Sequence, residues 1–379
     1  MIDCKAFYEL LADYGVDFYA GVPDSLLKDF CAYVTDHAPD GGHVITANEG
    51  GAVALAAGHY LATGRPGAVY LQNSGLGNAV NPLTSLADLA VYGIPMLMII
   101  GWRGEPGKKD EPQHVKMGGV TLELLDAIGV RWAIVPEDLD RARQIIDIAF
   151  MTMAAQPAPF ALIVPAETFA KYKLVNTTAS PYPMSREEAI GVVVERLPAD
   201  ALVVATTGKP SRELYELREA RGESHDGDFL TVGSMGHSSQ IALGIAKQRP
   251  ERQVVCLDGD GAVLMHMGGL ANIGTSGAAN YRHIVLNNGA HDSVGGQPTC
   301  AFAVELAKVA TACGYRGTWV ATTREELEAA WPSFIGTDGP VLLEIRVQIG
   351  ARADLGRPKM SPAELKQAFM KACGVGTEG

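Results

Sequence analysis

Two short stretches carry residue types that suit one divalent cation and a diphosphate. Asp258-Gly259-Asp260-Gly261 sets carboxylates on a glycine turn, and after 25 intervening residues, 262 to 286, comes the amide pair Asn287-Asn288. Mg²⁺ is a hard, octahedral ion that takes oxygen ligands and keeps waters and phosphate oxygens in its shell. A carboxylate, an amide oxygen and a backbone carbonyl leave room in that shell for two diphosphate oxygens and a water. The chemistry requires Asp260 and Asn288 to lie side by side. Residues 254–257 (VVCL) are an apolar run ending in the glycine turn, the pattern of a buried strand that stops at a loop. Open α/β sheets hold ligands at that edge. The stretch 262–279 is long enough for a crossover helix, and 283–286 (HIVL) for the next parallel strand, which returns Asn288 to the side of Asp260. Alone, each half is an ordinary turn or strand end.

Thr206-Thr207-Gly208-Lys209 follows another apolar run, 201–205. Hydroxyls and backbone amides after a strand suit a diphosphate, although the leading glycine and spacer of a Walker loop are missing. Lys209 reads equally as a phosphate contact or a solvated charge. Glu49 stands where a helix begins near Gly50, a place the helix dipole favours for an acid. A lone methionine among glycines, Met235, is by itself core filler. His114, His237 and His291 lie in or beside loops where a substrate can sit, whereas His59 and His283 read as structural.

The elements that position these residues alternate regularly. Strand-like runs at 17–20, 43–46, 68–71, 96–100, 132–135 and 160–164 are separated by helical patterns at 25–36, 50–63, 79–91 and 139–155. A second series has strands at 201–205, 254–257, 284–286, 318–321 and 341–345, with helices at 186–197, 240–247, 304–313, 324–330 and 362–372. Such alternation predicts parallel sheets covered by helices on both faces. Prolines at 165, 181 and 183 mark a linker between the series. The expected organisation is an α/β chain of two domains, 1–170 and 185–379, joined by a linker at 171–184.

Composition bounds the function. The 379 residues are 47% apolar and 20% charged, the profile of a soluble globular enzyme. A net charge of −12 argues against nucleic acid, whose phosphates are held by basic surface. The six cysteines are scattered without a Cys-x-x-Cys pair, which suits reduced thiols rather than a disulfide frame or zinc site. No apolar run approaches the ~20 residues of a membrane span, and no targeting pattern opens the chain. A cytoplasmic protein with no membrane or nucleic-acid partner is expected.

The Gly-Asp-Gly turn followed by Asn-Asn resembles the fingerprint of the thiamine-diphosphate-dependent 2-oxo acid decarboxylases. Closer motifs at 21–27 (GVPDSLL), 48–50 (NEG), 72–78 (QNSGLGN), 100–107 (IGWRGEPG), 110–114 (DEPQH) and 287–298 (NNGAHDSVGGQP) are similar to those of the phosphonopyruvate decarboxylases, with the sulfopyruvate decarboxylases as nearest relatives. The resemblance implies two thiamine-diphosphate-binding-type α/β domains, each a mainly parallel sheet with helices on both faces. The first is pyrimidine-binding, the second diphosphate-binding, and the central domain of larger relatives is absent.

It also implies thiamine diphosphate and Mg²⁺ as cofactors, with Asp260, Asn288 and the backbone carbonyl of Ala290 on the metal. Glu49 matches the glutamate that hydrogen-bonds N1′ of the aminopyrimidine and shares a proton there. The carbonyl of Gly233 matches the acceptor of the 4′-amino group, and Met235 the wedge between the two rings. Asn73, Thr206, Thr207, Gly208, Gly259, Gly261 and Ala262 complete the expected cofactor contacts. The implied activity is non-oxidative decarboxylation of 3-phosphonopyruvate to phosphonoacetaldehyde and CO₂ in phosphonate biosynthesis. Asp24, Ser25, Arg103, His114 and His291 are expected at the substrate, with a loop over 101–119, bearing Arg103, Lys108, Lys109 and His114, closing on the phosphonate. Sulfopyruvate is the alternative substrate, and a non-catalytic cofactor-binding regulatory subunit the alternative role, although Glu49, Asp260 and Asn288 are all retained. A homo-oligomer with sites shared between chains is implied.

Overall fold

A computed structural model describes residues 1–177 and 180–376. Residues 178 and 179 of the expected linker lie outside the described residues. The chain divides into two compact units: Met1–Thr177 together with His291–Pro298, and the remainder. The segment 291–298, inside the range expected for the second domain, therefore packs with the first unit, where the Gln297 side-chain amide donates to the Lys28 carbonyl at 3.2 Å.

The first unit holds six strands, β1 (Tyr19–Gly21), β2 (His43–Ile45), β3 (Ala68–Gln72), β4 (Leu97–Gly101), β5 (Arg131–Ile134) and β6 (Phe160–Val164). The second holds β7 (Leu202–Ala205), β8 (Asp228–Leu230), β9 (Val254–Gly259), β10 (Tyr281–Asn287), β11 (Gly317–Ala321) and β12 (Val341–Arg346). The sheet orders are β2-β1-β3-β4-β6-β5 and β11-β12-β10-β9-β7-β8, and every pairing is parallel. Counted from one within each unit, both sheets read 2-1-3-4-6-5. Chain direction across each sheet therefore reverses between its first and third strands, β1 and β3 or β7 and β9. That crevice is where open α/β sheets bind ligands.

The central strands β3, β4, β6, β7 and β9 read as continuous apolar runs because helices cover both faces. One core cluster lies on each face of each sheet. No helix among the described residues is long and apolar enough to cross a membrane.

Several elements differ from expectation. Strand β8 and helices Cys4–Asp13, Pro112–Ala127 and Lys209–Arg221 carry weak sequence signals. β8 is three residues long and begins at buried Asp228, which is paired with Arg218 at 3.0 Å, so its charge hid it. The loop expected over 101–119 ends at Glu111, because Pro112 occupies the first helical turn, where its missing N–H costs nothing. Gly118 inside that helix reflects close packing, since a Cβ there would sit 1.8 Å from the Gly104 carbonyl oxygen. The crossover at 262–279 is two short helices, Asp260–Met265 and Gly269–Gly274, interrupted near Gly268.

Candidate functional site

In the second unit the sheet edge at the ends of β7, β9 and β10 gathers the residues expected at the diphosphate and the metal. Thr206, just past the end of β7, donates its backbone N–H to Leu257 of β9 at 2.8 Å. Its side-chain Oγ1 is buried and has no hydrogen-bond partner among the described residues. A buried hydroxyl left unpaired costs free energy unless a ligand satisfies it. Gly208, at φ 98, turns the chain into helix Lys209–Arg221, and the Ser211 hydroxyl fixes the turn by donating to the Thr206 carbonyl at 2.7 Å.

Asp260 opens helix Asp260–Met265 and is 4% exposed. Burial pushes its carboxyl up to about 6, opposed first by the Thr299 hydroxyl and then by backbone amides that include Asn288. The Thr299 hydroxyl donates to Asp260 Oδ2 at 2.6 Å. Asn288 is 3% exposed, and its Oδ1 accepts the Ala290 N–H at 3.1 Å, which leaves the second lone pair for another partner. Behind it the Asn287 amide donates to Glu344 Oε1 at 2.9 Å, anchoring the end of β10 to β12. The fold thus brings Asp260, Asn288 and Thr206 to one sheet edge. A buried carboxylate short of cations, an amide oxygen and an unpaired hydroxyl fit Mg²⁺ and a diphosphate in donor chemistry.

The segment bearing Gly233 and Met235 packs against the same helix. A Cβ on Gly236 (φ 85) would lie 3.1 Å from the Ala262 carbonyl and 2.6 Å from His266 Cδ2. Ser234 adopts φ 56, a strained value for a residue that is not glycine. His237 is exposed and its ring lies 4.4 Å from that of His266.

In the first unit Glu49 is the first residue of helix Glu49–Thr63, which Asn48 caps by accepting the Gly51 N–H at 2.8 Å. The carboxyl is 5% exposed, and burial raises its pKa against the opposing hydrogen bond from Asn78, 2.7 Å away. Gly75 makes room for it: a Cβ there would stand 2.3 Å from Glu49 Oε1. Gly75→Ala has an allowed backbone, since its φ is −74, so its effect is steric. We expect Gly75→Ala to fold and to lose proton exchange at C2 of added thiamine diphosphate by tenfold or more, read by NMR.

The residues expected at the substrate also lie in this unit. Asp24 is fully buried, its Oδ2 accepts the Leu26 N–H at 3.0 Å, and burial pushes it up to about 6. A Cβ on Gly101 would lie 2.0 Å from that oxygen, so the glycine at the end of β4 is the space Asp24 occupies. Ser25 accepts from Arg103 Nη1 at 2.7 Å. Partly exposed His291 is pushed down by burial to about 4. His114 has its pKa lowered by burial and then by Arg103, and its Nδ1 is buried without a partner among the described residues.

Arg103 itself is committed inside the loop. Its Nε and Nη2 form a two-pronged pair with Asp110, at 2.8 and 2.5 Å, with side chains 19% and 15% exposed. Lys108 pairs with Glu105 at 2.7 Å. Asn73, expected at the cofactor, ties this loop down: its amide donates to the Arg103 carbonyl at 2.8 Å and to Thr121 at 2.9 Å, and its Oδ1 accepts the Arg103 N–H. Arg103→Gln should therefore lower stability by about 2 kcal/mol through the stranded Asp110. The Arg103 guanidinium holds the Asp110 carboxyl well below the usual carboxylate range. The stability it contributes is present above the unfolded pKa of about 4 and fades as pH falls through the folded value. Urea melts at pH 7 and pH 2 should show the gap between variant and wild type narrowing in acid.

Sequence reasoning passed over Asn78 as a partner of Glu49, although it lies in a quoted motif, and Thr299 and His266, which carry no signal beyond their residue type.

Known proteins are similar to this chain along nearly its whole length. Residues 4–124 match the model for the N-terminal TPP binding domain of the thiamine pyrophosphate enzymes, and 206–345 that for the C-terminal TPP binding domain. A phosphonopyruvate decarboxylase of Streptomyces viridochromogenes is 40% identical, covering 95% of this chain and 92% of its own. One from Streptomyces hygroscopicus is 38% identical, covering 97% and 93%. A sulfopyruvate decarboxylase of Methanosarcina acetivorans is 29% identical, covering 97% and 96%. With both binding-domain models matched and such identity running nearly end to end, the chain belongs to the thiamine pyrophosphate enzymes, within the phosphonopyruvate decarboxylase family.

Proposed function

We propose that the chain decarboxylates 3-phosphonopyruvate, without oxidation, to phosphonoacetaldehyde and CO₂ in phosphonate biosynthesis, using thiamine diphosphate and Mg²⁺. The observation that carries this reading is 40% identity to a phosphonopyruvate decarboxylase over 95% of the chain, against 29% to a sulfopyruvate decarboxylase. When bound, the cofactor supplies the nucleophilic carbon that attacks the keto group and takes up the electrons released with CO₂.

The chain's own residues do the rest. Asp260, Asn288 and the Ala290 carbonyl hold Mg²⁺, and Thr206 with the Thr207–Gly208 turn receives the diphosphate. Gly259, Gly261 and Ala262 line the same turn, while the Gly233 carbonyl and Met235 set the ring conformation. Glu49, its pKa raised by burial, is the group that shares a proton with N1′. Asp24, Ser25, His114 and His291 face the substrate, and Arg103 acts chiefly by shaping the loop, because its fork is spent on Asp110. A homo-oligomer whose sites draw on two chains is part of this reading. Leu89, Val91 and Tyr92, exposed at 51, 47 and 71%, offer apolar surface for a second copy. A cytoplasmic location fits the reduced thiols.

CO₂ release from phosphonopyruvate, sulfopyruvate and pyruvate, measured side by side with thiamine diphosphate and Mg²⁺ present, tests the assignment. Preference for phosphonopyruvate is expected; preference for sulfopyruvate would move the chain to the alternative substrate.

A further inference from the structure

Under the metal turn lies a chain of buried polar groups that the expected chemistry does not use. Asp258 on β9 is 1% exposed and His283 on β10 is fully buried. In the parallel register His283 stands opposite Cys256 and Asp258 opposite Val285, which puts Cys256, Asp258 and His283 on one face of the sheet. That face is otherwise apolar, packed among Val254, Tyr281, Val285 and Leu342. His283 Nε2 lies 3.4 Å from Asp258 Oδ2, His283 Nδ1 lies 3.1 Å from the Tyr315 hydroxyl, and Asp258 Oδ1 accepts the Gly259 N–H at 3.0 Å.

These contacts specify one proton arrangement. With an Asp258 carboxylate oxygen as acceptor, Nε2 is the donating ring nitrogen and Nδ1 accepts from Tyr315. Every group then has a partner, which is the condition for a buried polar network to rigidify a fold rather than weaken it. By type, Cys256, Asp258 and His283 also suggest a metal centre, since their ligand atoms lie within 4.8 Å of one another. All three are sealed, however, and Asp258 and His283 are committed to hydrogen bonds, so an ion has neither entry path nor free donors there.

We propose that Tyr315, His283 and Asp258 are positioning residues that fix the Gly259–Asp260 turn and so present Asp260 and, across β9 and β10, Asn288 to Mg²⁺. Asp258 grips the peptide N–H of Gly259, one residue before Asp260, at the point where β9 gives way to helix Asp260–Met265. His283 links that grip to β10, the strand that ends at Asn287 and delivers Asn288. Tyr315 sets the histidine ring from outside the sheet. Groups behind the ligands of a metal orient those ligands, and their loss weakens metal affinity by about 10- to 100-fold in well-studied sites.

The inference rests on Asp260 being the metal ligand, so the test separates the two. The full chain is prepared as wild type, His283→Leu, His283→Gln, Tyr315→Phe and Asp260→Asn. The Mg²⁺ dissociation constant is measured by calorimetry at saturating thiamine diphosphate, and the thermal midpoint is measured without cofactor. His283→Leu should weaken Mg²⁺ by about tenfold or more, Tyr315→Phe by a few-fold, and His283→Gln should recover much of the loss, because its amide N–H reaches the place of Nε2. If Tyr315→Phe and His283→Leu lower the midpoint while leaving Mg²⁺ affinity within twofold of wild type, the network serves the fold alone and the inference fails. Should His283→Leu not fold, Tyr315→Phe, one oxygen smaller, decides by the same criterion. Wild-type Mg²⁺ affinity in Asp260→Asn would overturn the metal reading instead.

Discussion

Glu49→Gln folds, takes up thiamine diphosphate with broadly unchanged affinity, and slows proton exchange at C2 of the cofactor by roughly 10²- to 10⁴-fold, the span of a lost acid–base group. The glutamine keeps the shape beside Gly75 and can still hydrogen-bond Asn78, so binding geometry survives. It cannot give or take the proton. The substitution also has a signature without cofactor. Burial raises the Glu49 pKa, so the folded state binds its proton more tightly than the unfolded state does. The stability linked to that proton is complete below the unfolded pKa of about 4.3 and is lost as pH rises through the folded value. Cofactor-free Glu49→Gln should therefore melt above wild type at neutral pH and match it near pH 4. NMR exchange at C2 and thermal melts at the two pH values check both parts; wild-type exchange would leave Glu49 only its place in the first turn of its helix.

Asp260→Asn has the second large effect, and its sign depends on the metal. With Mg²⁺ and thiamine diphosphate present, the variant loses the one carboxylate at the metal position, and metal-dependent cofactor binding should fall below detection in calorimetry. Without them it should be more stable than wild type at pH 7.5. Burial pushes the Asp260 carboxyl up to about 6 from 3.8, so the stability linked to its proton is full below about 4 and gone above about 6. A neutral amide avoids that loss, a gain on the order of 2–3 kcal/mol. The Thr299 hydroxyl still finds an acceptor in the asparagine carbonyl. Equal apo stability of the two proteins would mean that the carboxylate is not desolvated, and equal metal affinity would remove Asp260 from the site.

The opposite signs describe a common feature of binding sites, in which a group unfavourable to the empty fold is kept for what it binds. Glu49, Asp24 and Asp260 are all acids nearly sealed from water with raised pKa values. Each was a candidate on sequence grounds.

What the amino-acid sequence determined by itself was the pattern that depends on neighbours along the chain. Apolar runs marked eleven of the twelve strands among the described residues, if not their ends, and the Gly-Asp-Gly and Asn-Asn motifs marked where β9 and β10 end at one sheet edge. Local physics suffices there, because a strand that stops at a glycine turn must place the turn at the sheet edge. Tertiary structure alone decided the rest. Arg103 read as a substrate contact, and nothing along the chain showed that Asp110, seven residues on, holds its fork or that the Asn73 amide braces the same loop. His283 read as an inert core residue because nothing along the chain reveals that Asp258 and Tyr315 flank its ring. Residue type and spacing state what a side chain is able to do, but its partners come from strands and loops tens of residues away, and a polar group's role depends on which of its hydrogen bonds are already made.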